Sequence, residues 1–167
     1  MLDQTQKFSQ KWTIVALLDD TQPGYEFNMK NWPRHVTMMP VFAVDLDSVG
    51  LTQVVEKVAS EFRSVDGKIA SHVQWGKDGQ LQVALLEANK SLQSMHDALC
   101  NQLAKSNLLF NEPNYAYANF KPHVTKYQDK VLSIGDTVRI TNLCVVDMFP
   151  NDEPFERRIV SRIELVH

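Results

Sequence analysis

Apolar residues gather along this chain in short runs separated by polar turns, and the spacing within each run predicts its conformation. Residues 12–18 form a continuous apolar run, β-branched at its centre and closed by Asp19 and Asp20, which predicts a buried strand. Residues 21–34 carry Pro23-Gly24 and Pro33 and read as a loop with a turn. A second strand is predicted over residues 35–44, interrupted at Pro40. From Asp47 or Ser48 to Phe62, the positions Leu51, Val54, Val55, Val58 and Phe62 recur at helical spacing, and Asp66-Gly67 closes that unit. Residues 68–75 and 80–87 flank Gly76-Lys77-Asp78-Gly79, a hairpin signal. A second helix, capped by Asn89 or Ser91, is predicted to reach about Lys105 on a stripe of Leu92, Met95, Leu99 and Leu103. Three further strand regions follow a loop containing Pro113, over residues 117–127, 138–149 and 157–166. Strands mixed with two helices and a hairpin predict an α+β domain rather than a doubly wound parallel sheet.

One pattern occurs twice. Val15-Ala-Leu-Leu18 precedes His35-Val-Thr37, and Val83-Ala-Leu-Leu86 precedes His123-Val-Thr125, with the second helix in the second connection. The repeated order of strand, connection and His-Val-Thr predicts two related lobes facing one another.

Composition narrows the class. With 167 residues, 44% of them hydrophobic, the chain can bury a core without metals or disulfides, and residues 1–167 are expected to form a single two-lobed domain with residues 1–11 as a loose arm. Cys100 and Cys144 lack a CxxC partner and read as packed thiols. No run approaches the length of a membrane span and residues 1–10 lack the apolar core of a signal peptide, so a cytoplasmic protein is expected; a monomer is expected as well. The net charge of −3 argues against an extended nucleic-acid surface, and any anionic ligand should be small. Lys30 and Arg34 flank the first triplet, and Lys121, Lys126 and Lys130 the second, which would focus a positive field on one cleft.

The triplets carry the chemistry. On a strand the side-chain period is two, so His and Thr share one face while Val anchors the other. Breaking a phosphodiester requires a base on the attacking oxygen and an acid on the leaving oxygen, and histidine suits both roles. The threonine hydroxyls can donate to non-bridging oxygens. Pro33 and Pro122 restrict the backbone ahead of each histidine. The alternative, metal binding, is less well served, because His and Thr two apart make a poor chelating pair. Of the 5 histidines, His72, His96 and His167 read as structural or solvated. Tyr115, Tyr117, Phe120 and Tyr127, with Trp32, offer stacking surfaces for a base.

Trp32-Pro-Arg-His-Val-Thr-Met-Met-Pro40 and Phe120-Lys-Pro-His-Val-Thr-Lys-Tyr127 resemble the paired motifs of the two-histidine phosphoesterases, among them the RNA-ligase-like 2',3'-cyclic phosphodiesterases. The resemblance implies a bilobal α+β fold with antiparallel sheets around a cleft. It also implies metal- and cofactor-independent cleavage of nucleotide phosphodiesters, with His35, Thr37, His123 and Thr125 as the catalytic set, His123 as base and His35 as acid. Candidate substrate contacts are Lys126, Arg34, Tyr127, Tyr117 and Trp32. Lys126 departs from the apolar residue usual after the second motif, and a lysine lacks the bidentate fork of the arginine many members carry nearby. The favoured substrate is a small nucleotide or RNA end bearing a 2',3'-cyclic phosphate or a 2'-5' linkage. Cyclic oligonucleotide second messengers, or non-catalytic binding of nucleotides or RNA ends, remain alternatives.

Overall fold

The computed structural model describes residues 10–126 and 132–167. The end of the N-terminal arm is held: Met148 N–H donates to Lys11 O (3.0 Å), and the Gln10 amide donates to Asp147. The rest of the arm lies outside the described residues. The chain then forms β1 (Trp12–Leu17), β2 (Glu26–Asn28), β3 (His35–Ala43), α1 (Ser48–Ala59), β4 (Val65–Trp75), β5 (Leu81–Leu86), α2 (Lys90–Leu103), β6 (Leu109–Phe110), β7 (His123–Thr125), β8 (Thr137–Ile140), β9 (Asn142–Asp147) and β10 (Glu156–Glu164). One sheet runs β2-β10-β9-β1-β3-β6 and the other β7-β5-β4-β8, and the paired strands are antiparallel. The expected α+β class with antiparallel sheets and two helices is what the chain adopts.

Both helices begin where capping chemistry allows. Asp47 accepts from Gly50 N–H (2.8 Å), and Asn89 accepts from Leu92 N–H (3.1 Å), each satisfying a donor that the first turn leaves open. Leu51, Val55 and Val58 from α1 and Leu92, Met95, Leu99 and Leu103 from α2 are buried in the main core with Ile14, Val36, Met38 and Leu143 of the six-stranded sheet and Ala84, Leu86 and Val124 of the four-stranded one. A smaller cluster, including Val15, Leu17, Phe27, Cys144, Val146 and Ile159, covers the opposite face of the larger sheet. Both cysteines are free and buried.

Several expectations change. The loop predicted over residues 21–34 contains β2, which pairs with β10. Pro40 does not interrupt β3, because the register shifts opposite it and relieves the missing N–H; Thr13 Oγ1 donates to Met39 O (2.6 Å) at this irregularity. Helix α1 ends at Ala59, short of Phe62. Asp66-Gly67 is no turn but lies in β4, where a Cβ on Gly67 would stand 2.4 Å from Leu86 Cδ2, so the glycine serves close packing. The region predicted as a strand over residues 117–127 is a 3₁₀ turn followed by the three residues of β7, and its last residue lies outside the described part. Residues 138–149 divide between β8 and β9, which belong to different sheets. Alternation along one strand cannot tell which sheet will take it.

The repeated pattern is a real structural repeat. Val15, Ala16 and Leu17 pair with Thr37, Val36 and His35; Val83, Ala84 and Leu85 pair with Thr125, Val124 and His123. The register is the same residue for residue.

Candidate active site

Strands β3 and β7 pack against one another, which brings the two triplets together although they belong to different sheets. Val36 and Val124 point into the main core, at 0% and 4% exposure, and so turn the histidine and threonine of each triplet to the opposite face of their strand. His35 is buried, whereas Thr37, His123 and Thr125 are half-buried.

The imidazoles share one local geometry. His35 Nδ1 donates to Pro33 O (2.7 Å), and His123 Nδ1 donates to Lys121 O (2.8 Å). A carbonyl can only accept, so each ring carries its hydrogen on Nδ1 and presents Nε2 for proton transfer. A tryptophan stands 4.6 Å from each ring, Trp32 tilted beside His35 and Trp75 edge-on to His123. The two prolines play unequal parts: Pro33 supplies the carbonyl that His35 uses, whereas the Pro122 carbonyl accepts from Leu86 N–H (3.0 Å).

Burial governs the electrostatics. Loss of hydration pushes His35 down to about 4, reinforced by the neighbouring His123 and opposed by the Pro33 carbonyl and the Asp19 carboxylate. His123 is also lowered by burial, opposed by the Lys121 carbonyl. A proton on one imidazole therefore disfavours a proton on the other, as a shared acid/base pair requires.

Other expected contacts are placed less uniformly. Trp32 stands at His35. Lys126 is exposed one residue beyond β7, its N–H bonded to Gln82 O (2.9 Å), and it borders a small recess with His72 and Thr125. Arg34 is half-buried; its carbonyl accepts from Leu18 N–H (2.9 Å), and its Nε is closed off without a hydrogen-bond partner. The Tyr117 ring packs on Phe110 (5.4 Å), and its left-handed backbone (φ 58°) is held by α2 through His96 and Gln93. Tyr127 lies outside the described residues.

Sequence pattern does not mark Trp75. It reaches His123 from the β4–β5 hairpin and carries exposed Tyr115 alongside it at 6.2 Å, a ring surface next to the imidazole. No local signal singles it out, because only the pairing of β7 with β5 joins the hairpin to the triplet. His96 is structural as expected: it is fully buried, donates from Nδ1 to Met38 O (2.7 Å), accepts Tyr117 N–H at Nε2 (2.9 Å) and stacks on Phe120 (4.2 Å). His72 is exposed and bonds Leu132 O (2.7 Å). Among the described residues, no three His, Cys, Asp or Glu side chains converge as a metal ion would need. A cavity of about 520 Å³ lined by Trp12, Leu46, Asp147 and Arg158 lies apart from both triplets and contains neither histidine nor threonine. Size alone does not make it the reaction site.

The model of the 2'-5' RNA ligase superfamily matches residues 3–141, a span that includes both triplets. The chain belongs to the 2'-5' RNA ligase superfamily. Solved structures agree on the fold. E. coli LigT complexed with 3'-AMP is 14% identical with a TM-score of 0.57, over 95% of this chain and 99% of that one. A crystal structure described as a phosphoesterase is 15% identical with a TM-score of 0.55, over 95% and 99% of the two chains. TT0787 of Thermus thermophilus is 12% identical with a TM-score of 0.55, over 93% and 97%. No curated protein matches the sequence. Membership in this superfamily marks the chain as a phosphoesterase.

Proposed function

We propose that this phosphoesterase cleaves nucleotide phosphodiesters at RNA ends, a 2',3'-cyclic phosphate or a 2'-5' linkage, by proton transfer between His35 and His123 without a metal. The observation that carries this reading is the matched pair of imidazoles on adjacent strands, each with Nδ1 tied to a carbonyl two residues upstream, which makes Nε2 the basic nitrogen of each ring. One Nε2 removes the proton from the attacking hydroxyl or water, and the other protonates the departing oxygen. Thr37 and Thr125, two residues on and on the same faces, donate to the non-bridging oxygens as their charge grows. LigT has been solved with 3'-AMP, with ATP and with NADP+, all phosphate-bearing nucleotides. Trp75 with Tyr115 provides a surface on which a base can stack.

Turnover assayed on nucleoside cyclic phosphates, RNA ending in a cyclic phosphate and 2'-5' dinucleotides tests the reading. His35→Ala and His123→Ala should each lower kcat by about 10²–10⁴ on the accepted substrate while the fold survives. Wild-type turnover in either variant removes the two-histidine mechanism. Activity should also persist in excess EDTA; loss on chelation with recovery on adding a divalent ion would replace proton transfer by metal chemistry.

A further inference from the structure

The two lobes share one register through their triplets, but the faces that carry the histidines are covered differently. In the first lobe Val15 pairs with Thr37 on one side and with Cys144 on the other; in the second, Val83 pairs with Thr125 and with Val73. Side chains of a paired row project to one face, so these residues share the faces from which the threonines and histidines project. Two residues earlier, Thr13 of β1 pairs with Val146 and Leu81 of β5 pairs with Trp75, which makes Val146 the counterpart of Trp75.

In the first lobe Val15, Leu17, Cys144 and Val146 are buried, and Phe27 of β2 and the half-buried Trp32 join them in one cluster. Trp32 packs on Phe27 (4.9 Å) as well as on His35 (4.6 Å), so the connection between β1 and β3 fills the place beside this histidine. In the second lobe the corresponding connection carries α2, whose apolar stripe packs in the main core with Ala84, Leu86 and Val124, away from the histidine face. On that face Val83 is buried, but Leu85, Val73 and Trp75 are half-buried, and Leu81 and Tyr115 are 45% and 52% exposed. Among the described residues, neither Trp75 nor Tyr115 belongs to a buried cluster. Tyr115 is nonetheless firmly placed. Ala116 next to it is buried, and the N–H and carbonyl of Tyr117 are bonded to His96 and Gln93 of α2 while its backbone is left-handed (φ 58°). That conformation is costly for a residue with a side chain, so the bonds to α2 fix the course of the chain at Tyr115 and hold its ring 6.2 Å from Trp75. Ring surface that is left in water yet held rigidly beside a site histidine suits a flat ligand, because covering it removes apolar area from water with little further ordering.

Resting on the two-histidine reading above, we propose that the site has a single nucleoside position, on the lobe of the β4–β5 hairpin, where Trp75 and Tyr115 receive the base, and that Phe27 and Trp32 close the corresponding position on the other lobe. A 2',3'-cyclic phosphate brings one nucleoside to the phosphorus, whereas a 2'-5' linkage brings two. The site is therefore built for the cyclic phosphate, and Trp75 is its specificity-determining residue.

Binding to the full chain, followed by calorimetry, tests this without turnover. The probes are deoxyadenosine 3'-methyl phosphate and a deoxyadenosine dinucleotide, which carry the same charge on one phosphodiester, have no 2'-hydroxyl to attack it, and differ in bringing one nucleoside or two. Wild type should bind the two within about threefold of one another, less than the gain a second stacked base would give. Trp75→Leu should weaken both by about 5- to 100-fold, the scale of one lost base stack, while inorganic phosphate binds as it does to wild type. A dinucleotide bound tighter by about tenfold or more overturns the single position. Undiminished binding of the methyl phosphate by folded Trp75→Leu, or no binding of it by wild type, overturns the base site. Should Trp75→Leu fail to fold, Tyr115→Ala at its exposed position should weaken both probes by about threefold or more, and unchanged binding there overturns the proposal equally. In turnover, kcat/KM on adenosine 2',3'-cyclic phosphate should exceed that on a 2'-5' dinucleotide, and the reverse order overturns the preference. Absence of turnover on every phosphodiester removes the phosphodiesterase reading alone, and the binding results still decide the nucleoside position.

Discussion

At the scale of single residues, the histidines and threonines make separable predictions. Both imidazoles are lowered by burial, His35 to about 4, so kcat/KM should be bell-shaped with its maximum below pH 6.5, the ordinary histidine value. The acidic limb reflects protonation of the second ring of the pair, and the basic limb reflects loss of the last proton. A maximum at or above neutral pH in the free-enzyme profile would contradict the burial of these rings. Thr37→Val and Thr125→Val keep the shape and suit a strand, so loss of each hydroxyl should lower kcat by roughly 10–10² with a smaller change in KM. Unchanged kcat in both variants and in the double variant would mean the threonines only stabilise their strands. The candidate catalytic set was legible at this scale because each triplet is contiguous and strand alternation fixes which side chains share a face. Trp75 was not, since its relation to His123 passes through the pairing of β7 with β5.

At the scale of elements, His96 joins the parts that carry the site. It lies on α2, holds the Met38 carbonyl of β3 one residue past Thr37, and holds the N–H of Tyr117 in the segment leading to β7. It must be neutral to donate from one nitrogen and accept at the other, and burial lowers its affinity for a proton accordingly. His96→Leu leaves the buried Met38 carbonyl without its partner and frees the part-buried Tyr117 N–H, and should cost about 1–3 kcal/mol for the carbonyl left unsatisfied, read as a lower midpoint in denaturant. An unchanged midpoint would mean water replaces the imidazole at no cost. Asn142 has a comparable part at the other end of β1, where its amide donates to Leu17 O and accepts Leu17 N–H, both at 2.9 Å, behind the residue that pairs with His35. Helix caps, the hairpin and most strand cores could be read from local pattern. The short strands β2 and β6 could not, because three or fewer residues leave no period to detect and their partners lie far along the chain.

For the whole molecule, acid should loosen the fold through His35. The unfolded ring titrates near its ordinary value of 6.5 and the folded one near 4, so its contribution to stability is fully present above pH 6.5 and is lost as pH falls toward 4. The unfolding free energy of wild type relative to His35→Asn should be constant above pH 6.5 and fall between there and pH 4. A difference independent of pH would show that His35 titrates alike in both states. What the sequence by itself determined is the chemistry and its local presentation: two His-Val-Thr triplets, the α+β class, the capped helices and the repeated order, all of which depend on neighbours within a few positions. Only the tertiary structure decided that the two triplets meet between separate sheets and that residues 138–149 split between those sheets. Those outcomes depend on which strands pair and which groups lose water, and side-chain order along the chain specifies neither.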